Sequence, residues 1–517
     1  MKLTTVIASI ALAAQCAYAQ DYSEWTVAQM SAAMNAGTLT SVQLTQFYLN
    51  RIALYNPKLN AVIETDPQAL AWAAWSDKLR AVCKTNNSCN QLLGIPILLK
   101  DNIATRDLMQ STAGSWALYG SVPSKDAFVV DKLRKAGAVL LGKANLSEFA
   151  NWRDAMAIPS GWSGRGGQTI NPYDPNAFVC GSSSGSAVAA SANLAAITLG
   201  TETDGSIICP SVFNGVVGLK PTVGLVSRSG VIPISATQDS VGPITRTVAD
   251  AAYLLDVIAG TDASDAATVN ADIKRPKQTY ASYLSPAFVS GQPLPPYLTG
   301  MRIGFDVSLQ FDPRMGLITG LFGSPYAFNG TMVPLNFTNV DLDNGNSEVL
   351  ILQTEFKAGL NSYLSSLQYT PVKKLNDLIQ VTAADKRENI YGYADWLLSQ
   401  NTSLNDAAYI AAKKFQANNV KAIDSLFAAN KIDVFIGDSF DLSHGAALAG
   451  YPVLTVPACT TKQGPAKNID NSTGLPYYIG FTGLPYSEQN IIKVASAYEN
   501  IKNTFFGGRA TPPGFGF

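Results

Sequence analysis

Histidine is nearly missing from this sequence: His444 is the single one among 517 residues. A zinc site with two histidine ligands is therefore excluded, and serine–histidine catalysis is open only through that residue. Its surroundings, DLSHGAALAG, are rich in glycine and alanine and point to packing or a loop. No HExxH motif, clustered metal-ligand set or phosphate-binding loop is present, so neither metal nor other cofactor is expected. Charge of one sign is also missing, with 37 Lys and Arg against 38 Asp and Glu and a net charge of −1. That balance argues against nucleic acid or an anionic membrane surface as a partner. No internal apolar run is long enough to span a bilayer, so no membrane anchor is expected.

Cysteine is sparse, at six. The first segment, MKLTTVIASIALAAQCAYAQ, has a basic start, an apolar middle and a small-x-small site at Ala17–Ala19. It predicts a secretory signal over residues 1–19, a mature chain from Gln20 and a secreted protein. Cys16 would leave with the signal. Cys83 and Cys89 bracket the polar loop KTNNS and are candidates for a disulfide. Cys180, Cys209 and Cys459 lie in apolar or glycine-rich stretches and read as small buried packing residues. Acceptor patterns for N-glycosylation occur at Asn86, Asn145, Asn329, Asn336, Asn401 and Asn471, as suits an exported glycoprotein.

Hydrophobic residues make up 47% of the chain, enough for a large core. Residues 25–81 are helical in pattern, with a glycine stop at Gly37 and a serine N-cap at Ser41. LLGIPILLKDNIAT reads as a buried strand that delivers Lys100 and Asp101 at its end. DAFVVDKLRKAGAVLLGKANLSEFA alternates helix, glycine, strand and turn, the pattern of βαβ units. SSSGSAVAASANLAAITLGT reads as a helix of very small residues, its exposed amides capped by serine, and then a strand. Residues 261–300 and 309–345 are rich in Pro, Gly, Asn and Asp and read as surface excursions. Residues 348–428 are mostly helical, KIDVFIG and YPVLTVPA read as strands, and SEQNIIKVASAYENI reads as a closing helix. Residues 20–517 thus read as one elaborated α/β domain.

Amide hydrolysis needs a deprotonated nucleophile, a proton for the leaving amine and donors for the oxyanion. With histidine scarce, the base for a serine is a lysine kept neutral by burial, and Lys100 ends an apolar run. In TETDGS a glycine precedes Ser206, so a tight turn can aim successive N–H groups at one point.

GIPILLKDN around Lys100, GSSSGSA at 181–187, TETDGSI at 201–207 and NGVVGLKPT at 214–222 occur in that order. They are joined by GKANLSEFA, GLVSRSGVIPIS, DSVGPITRTVADAA and AGYPVLTVPA. Together they resemble the amidase signature family of Ser–cisSer–Lys hydrolases, and within it secreted fungal members. The resemblance implies one α/β domain with a large twisted mixed sheet and helices on both faces. It implies Lys100 as base, Ser182 as a relay serine in a cis peptide and Ser206 as nucleophile. The N–H groups of Thr203, Asp204, Gly205 and Ser206 would form the oxyanion hole, with Ser183 in support. The implied activity is hydrolysis of a small-molecule amide through an acyl-enzyme. The alternatives are an esterase of the same mechanism, a catalytically silent binding protein and a glutaminase-type amidotransferase subunit. Two departures stand out: Asp204, where many members have glycine, and Ile208, where many have arginine.

Overall fold

The computed structural model describes residues 20–86, 88–287, 297–307, 330–335, 347–458 and 477–514. The signal segment, Cys459 and the acceptor sites Asn329, Asn336 and Asn471 lie outside the described residues.

The core is an eleven-stranded sheet. Its strands are β1 (Val62–Thr65), β2 (Pro96–Lys100), β3 (Val139–Ala144), β6 (Ile197–Glu202), β7 (Val217–Lys220), β8 (Ser240–Thr245), β9 (Arg302–Asp306), β10 (Thr331–Leu335), β11 (Val434–Gly437), β12 (Val453–Ala458) and β13 (Tyr477–Thr482). A separate two-stranded ribbon holds β4 (Trp162–Ser163) and β5 (Gly167–Gln168). The sheet order is β1-β3-β2-β6-β8-β7-β12-β13-β11-β9-β10. Pairing is parallel for β3-β2-β6 and β11-β9-β10 and antiparallel through the middle, so the sheet is mixed.

Alternation along the strands gives the sheet two covered faces. Val434, Ile436, Leu454 and Val456 join a cluster with Ile491, Val494 and Tyr498 of the closing helix Glu488–Phe506. Phe435 and Val453, one residue out of phase, join Ile423, Phe427, Leu442 and Ala446 of the helices Ala407–Asn430 and Ser439–Ala449. The architecture is the α/β class predicted, a large mixed sheet flanked by helices on both faces.

Several boundaries differ from the sequence expectations. Gly37 ends the first helix with φ 78°, as its missing Cβ allows. The next helix is capped by Thr40, not Ser41: Thr40 Oγ1 accepts from Gln43 N while the Gln43 amide accepts from Thr40 N. β1 interrupts the helical stretch 25–81. β9 and β10 extend the sheet edge; β10 comes from a stretch expected to be surface excursion, and Pro334 sits on this terminal strand.

The helix Ser184–Ser191 is fully buried and built from small residues because the backbone around it comes close. A Cβ on Gly185 would lie 2.4 Å from both Ala61 O and Asn145 N. The expected serine cap does not form: Ser183 occupies the N-cap position without a capping hydrogen bond. Its hydroxyl is used elsewhere.

Candidate active site

Lys100 is the last residue of β2, and β2 is buried along its whole length between β3 and β6. The lysine side chain therefore ends inside the protein, with no exposed surface. Its Nζ lies in hydrogen-bond contact with Ser182 Oγ at 2.7 Å and donates to Thr201 O at 3.1 Å. Burial pushes the Lys100 pKa well below its usual 10.5, against the opposing pull of Glu202 and Asp239. Neither carboxylate forms an ion pair with it among the described residues. The environment thus favours a neutral amine facing a hydroxyl.

Ser182 follows a cis peptide bond, Gly181–Ser182. Its carbonyl accepts from Ser147 N at 3.0 Å. Ser183 ties three pieces together. Its hydroxyl donates to Thr201 O at 3.0 Å and accepts from Thr201 N at 3.2 Å. Its N–H donates to Ser206 O at 3.1 Å. Ser183 thereby fixes the Ser182 turn to β6 and to the turn that carries Ser206.

That turn leaves β6 at Glu202 and reverses at Gly205, whose φ of 73° suits a residue without a Cβ. Glu202 anchors it from behind, its Oε2 accepting from Ile207 N at 2.6 Å and Ile208 N at 2.8 Å. Its other oxygen accepts from Ser443 Oγ at 3.0 Å. The side chains of Thr203 and Asp204 are also tied away. Thr203 Oγ1 donates to Asp239 Oδ1 at 2.6 Å, and Asp204 Oδ2 lies 2.7 Å from His444 Nδ1. Among the described residues, the N–H groups of Thr203, Asp204, Gly205 and Ser206 have no protein acceptor. The turn therefore presents a run of unspent donors beside a nearly buried serine hydroxyl.

No hydrogen bond joins Ser182 Oγ to Ser206 Oγ among the described residues. The structure brings Lys100 and Ser182 into contact and links the two serine turns through their backbones. The hydroxyl-to-hydroxyl contact stays open. A cleft of about 480 Å³ is lined by Arg228, Ser235, Asp239, Asp265 and Tyr363 and includes none of Lys100, Ser182 and Ser206.

His444 corrects one sequence expectation. It is not a packing residue: it projects from the helix Ser439–Ala449 with its side chain 42% exposed and pairs with Asp204. Glu348 Oε2 lies 3.8 Å from His444 Nδ1, its Oε1 accepting from Gln238 Nε2. Asp204, Glu348 and His444 are the one group among the described residues whose ligand atoms gather closely enough for a metal ion. The 2.7 Å contact between Nδ1 and Oδ2 is that of a charge-assisted hydrogen bond. At this departure the Asp204 carboxylate is engaged by the histidine.

The cysteines supply a second correction. Cys83 and Cys89 form a disulfide, and so do Cys180 and Cys209, which had been expected to be isolated packing residues. At the other departure, Ile208 is fully buried in an apolar cluster with Ala187, Ala190 and Val212, so no cation is accommodated there. Asn145 is buried, and its Nδ2 donates to Asn60 O and Gly167 O, which leaves no room for a glycan. Asn86 and Asn401 are exposed.

Comparison with known proteins decides the family. The Amidase family model matches residues 43–289. A probable amidase of Arabidopsis thaliana is 40% identical over 500 residues, which cover 96% of this chain and 93% of that protein. The chain belongs to the amidase family. Among solved structures, this amidase is similar to the native peptide amidase of Stenotrophomonas maltophilia. The two share 40% identity with a TM-score of 0.80, over 95% of this chain and 99% of the other. It is also 32% identical over 491 residues to a glutamyl-tRNA(Gln) amidotransferase subunit of Thermosynechococcus vestitus, covering 89% of this chain and 94% of that one.

Proposed function

We propose that this amidase cleaves amide C–N bonds through a serine acyl-enzyme, with Ser206 as nucleophile, Ser182 as relay and Lys100 as base. The observation that carries the proposal is the fully buried Lys100 amine 2.7 Å from Ser182 Oγ, beside a turn whose four N–H groups are unspent. A substrate carbonyl oxygen seated against those N–H groups is polarised where its charge develops. The contact between the two serines closes as substrate seats, since catalytic hydrogen bonds are often long before binding.

In the first half-reaction Lys100 accepts the Ser182 proton while Ser182 takes the Ser206 proton. Ser206 Oγ bonds to the carbonyl carbon, and the π pair moves onto oxygen. Collapse of the tetrahedral intermediate breaks the C–N bond, and the proton stored on Lys100 returns through Ser182 to the leaving nitrogen. Water then follows the same route and releases the carboxylic acid. Ser183 acts by holding the two turns together, and Asp204 contributes its backbone N–H while its carboxylate is hydrogen-bonded to His444.

The substrate class favoured is a peptide-like amide, because the similar Stenotrophomonas maltophilia protein is a peptide amidase with 40% identity over nearly the whole chain. The site of action proposed is outside the cytosol. The signal-like composition of residues 1–19, two disulfides and exposed acceptors at Asn86 and Asn401 support it. A glutaminase role in an amidotransferase is a second reading, favoured by the 32% identity to the Thermosynechococcus vestitus protein. Ammonia release from peptide amides, aliphatic and aryl amides and glutamine, set beside alcohol release from the matching esters, separates these readings. Preference for peptide amides, with an acyl adduct mapped to Ser206 by mass spectrometry, is the expected result. Turnover of glutamine alone would favour the second reading. Absence of both turnover and adduct in the folded protein would overturn the first.

A further inference from the structure

We propose that the disulfide between Cys180 and Cys209 is a positioning element of the active site and sets its turnover. Cys180 stands two residues before Ser182, and Cys209 three residues after Ser206. The bond therefore staples the relay turn to the nucleophile turn, which stand before and after the helix Ser184–Ser191 and β6. This inference rests on the Lys100–Ser182–Ser206 reading above.

The argument begins with what aligns the two serines. Lys100 fixes Ser182 from the β2 side through the 2.7 Å contact, and Glu202 fixes the far side of the Ser206 turn. Between the turns, the direct hydrogen bond at the site is Ser183 N to Ser206 O at 3.1 Å. Further out, Asn214 Nδ2 reaches Val179 O at 2.9 Å, and Asn171 Nδ2 reaches Phe178 O and Phe213 O. These bonds hold the segments side by side without the disulfide. The hydroxyls themselves are not bonded to each other, so their approach depends on the main chain on both sides of the gap. A proton relay is sensitive to sub-ångström placement, and a misplacement of about 1 Å is enough to cost about 10²-fold in rate. The staple is the one covalent tie across this gap among the described residues.

The bond is also open to chemistry. Cys180 is 7% exposed and Cys209 is partly exposed, so a small reductant reaches this edge of the site. Dithiothreitol would transfer two electrons and two protons, leaving thiols at Cys180 and Cys209 and closing to its own cyclic disulfide. The Cys83–Cys89 bond closes a surface loop at the end of the helix Ala69–Cys83 and provides an internal control.

The test compares wild type, Cys83→Ser/Cys89→Ser and Cys180→Ser/Cys209→Ser. It reads kcat, KM, the rate of Ser206 labelling by a fluorophosphonate, circular dichroism and the pH profile. Losing the staple is expected to lower kcat and the labelling rate at least about 10-fold. KM should stay within about 2-fold and the acid limb of the pH profile should not move, because Cys209 meets the turn through its N–H to Gly205 O at 2.7 Å and neither cysteine hydrogen-bonds to the turn's N–H groups or to Lys100. Cys83→Ser/Cys89→Ser should keep wild-type kcat. If Cys180→Ser/Cys209→Ser does not fold, the folded Cys83→Ser/Cys89→Ser enzyme is titrated with dithiothreitol, which leaves one reducible bond. Turnover should fall as two thiols appear and return on reoxidation. Unchanged kcat after loss of the bond, an equal loss in Cys83→Ser/Cys89→Ser, or unfolding on reduction would each overturn the proposal. Wild type that neither turns over amides nor labels at Ser206 would instead overturn the catalytic reading beneath it.

Discussion

Lys100 and His444 are both basic side chains bordering the Ser206 turn, and they sit in opposite surroundings. Lys100 is enclosed, with a hydroxyl and a carbonyl oxygen for partners. His444 is nearly half exposed and is flanked by the carboxylates of Asp204 and Glu348. Enclosure without a paired anion pushes the lysine pKa down, because a buried ammonium loses hydration that a hydroxyl does not replace. His444 instead stands partly exposed with two carboxylate oxygens near its Nδ1. The lesson is one of burial: the enclosed amine is the base proposed above, and the residue type most often used as a catalytic base instead contacts the Asp204 side chain.

The comparison is broken most severely at the nucleophile. Ser206→Ala should lower kcat by on the order of 10⁴-fold or more and abolish fluorophosphonate labelling while the fold persists by circular dichroism. Lys100→Met keeps the apolar stem and removes the amine, and should cost about 10²–10⁴-fold in kcat, read by steady-state kinetics. Wild-type kcat/KM should fall as pH drops through the lowered pKa of Lys100, since the base is active only above it, and the limb should lie below the usual 10.5. The residual activity of Lys100→Met should lack that limb. His444→Ala should be the mildest, with kcat/KM reduced less than about 5-fold, because an exposed ion pair contributes little. A loss in His444→Ala as large as in Lys100→Met would erase the distinction between the two bases.

Much of this was legible in the chain. The run GIPILLK announces a buried strand, and its terminal lysine has nowhere to go but inward, which is what β2 does. The small residues of 184–191 encode close approach, as the space around Gly185 shows. The Asp204–His444 pair was not legible, because its members are 240 residues apart and meet only when the helix Ser439–Ala449 packs beside the turn. The signal that could have found it was the aspartate standing where many members have glycine: a carboxylate beside an oxyanion turn has to point away or be paired. Cys180 and Cys209 were unreadable as a pair for the same reason, their 29-residue separation being closed by tertiary structure alone. Helix starts shifted by one residue, as at Thr40, because either hydroxyl of Thr40-Ser41 is able to cap.

The central claim is that a neutral Lys100 draws the Ser206 proton through Ser182. The most direct check is the pH dependence of fluorophosphonate labelling at Ser206, compared between wild type and Lys100→Met. Wild type should label with a rate that climbs with pH through a single lysine-dependent step, and Lys100→Met should label slowly at every pH with the step gone. Equal rates in the two proteins, or the same step in both, would contradict the account.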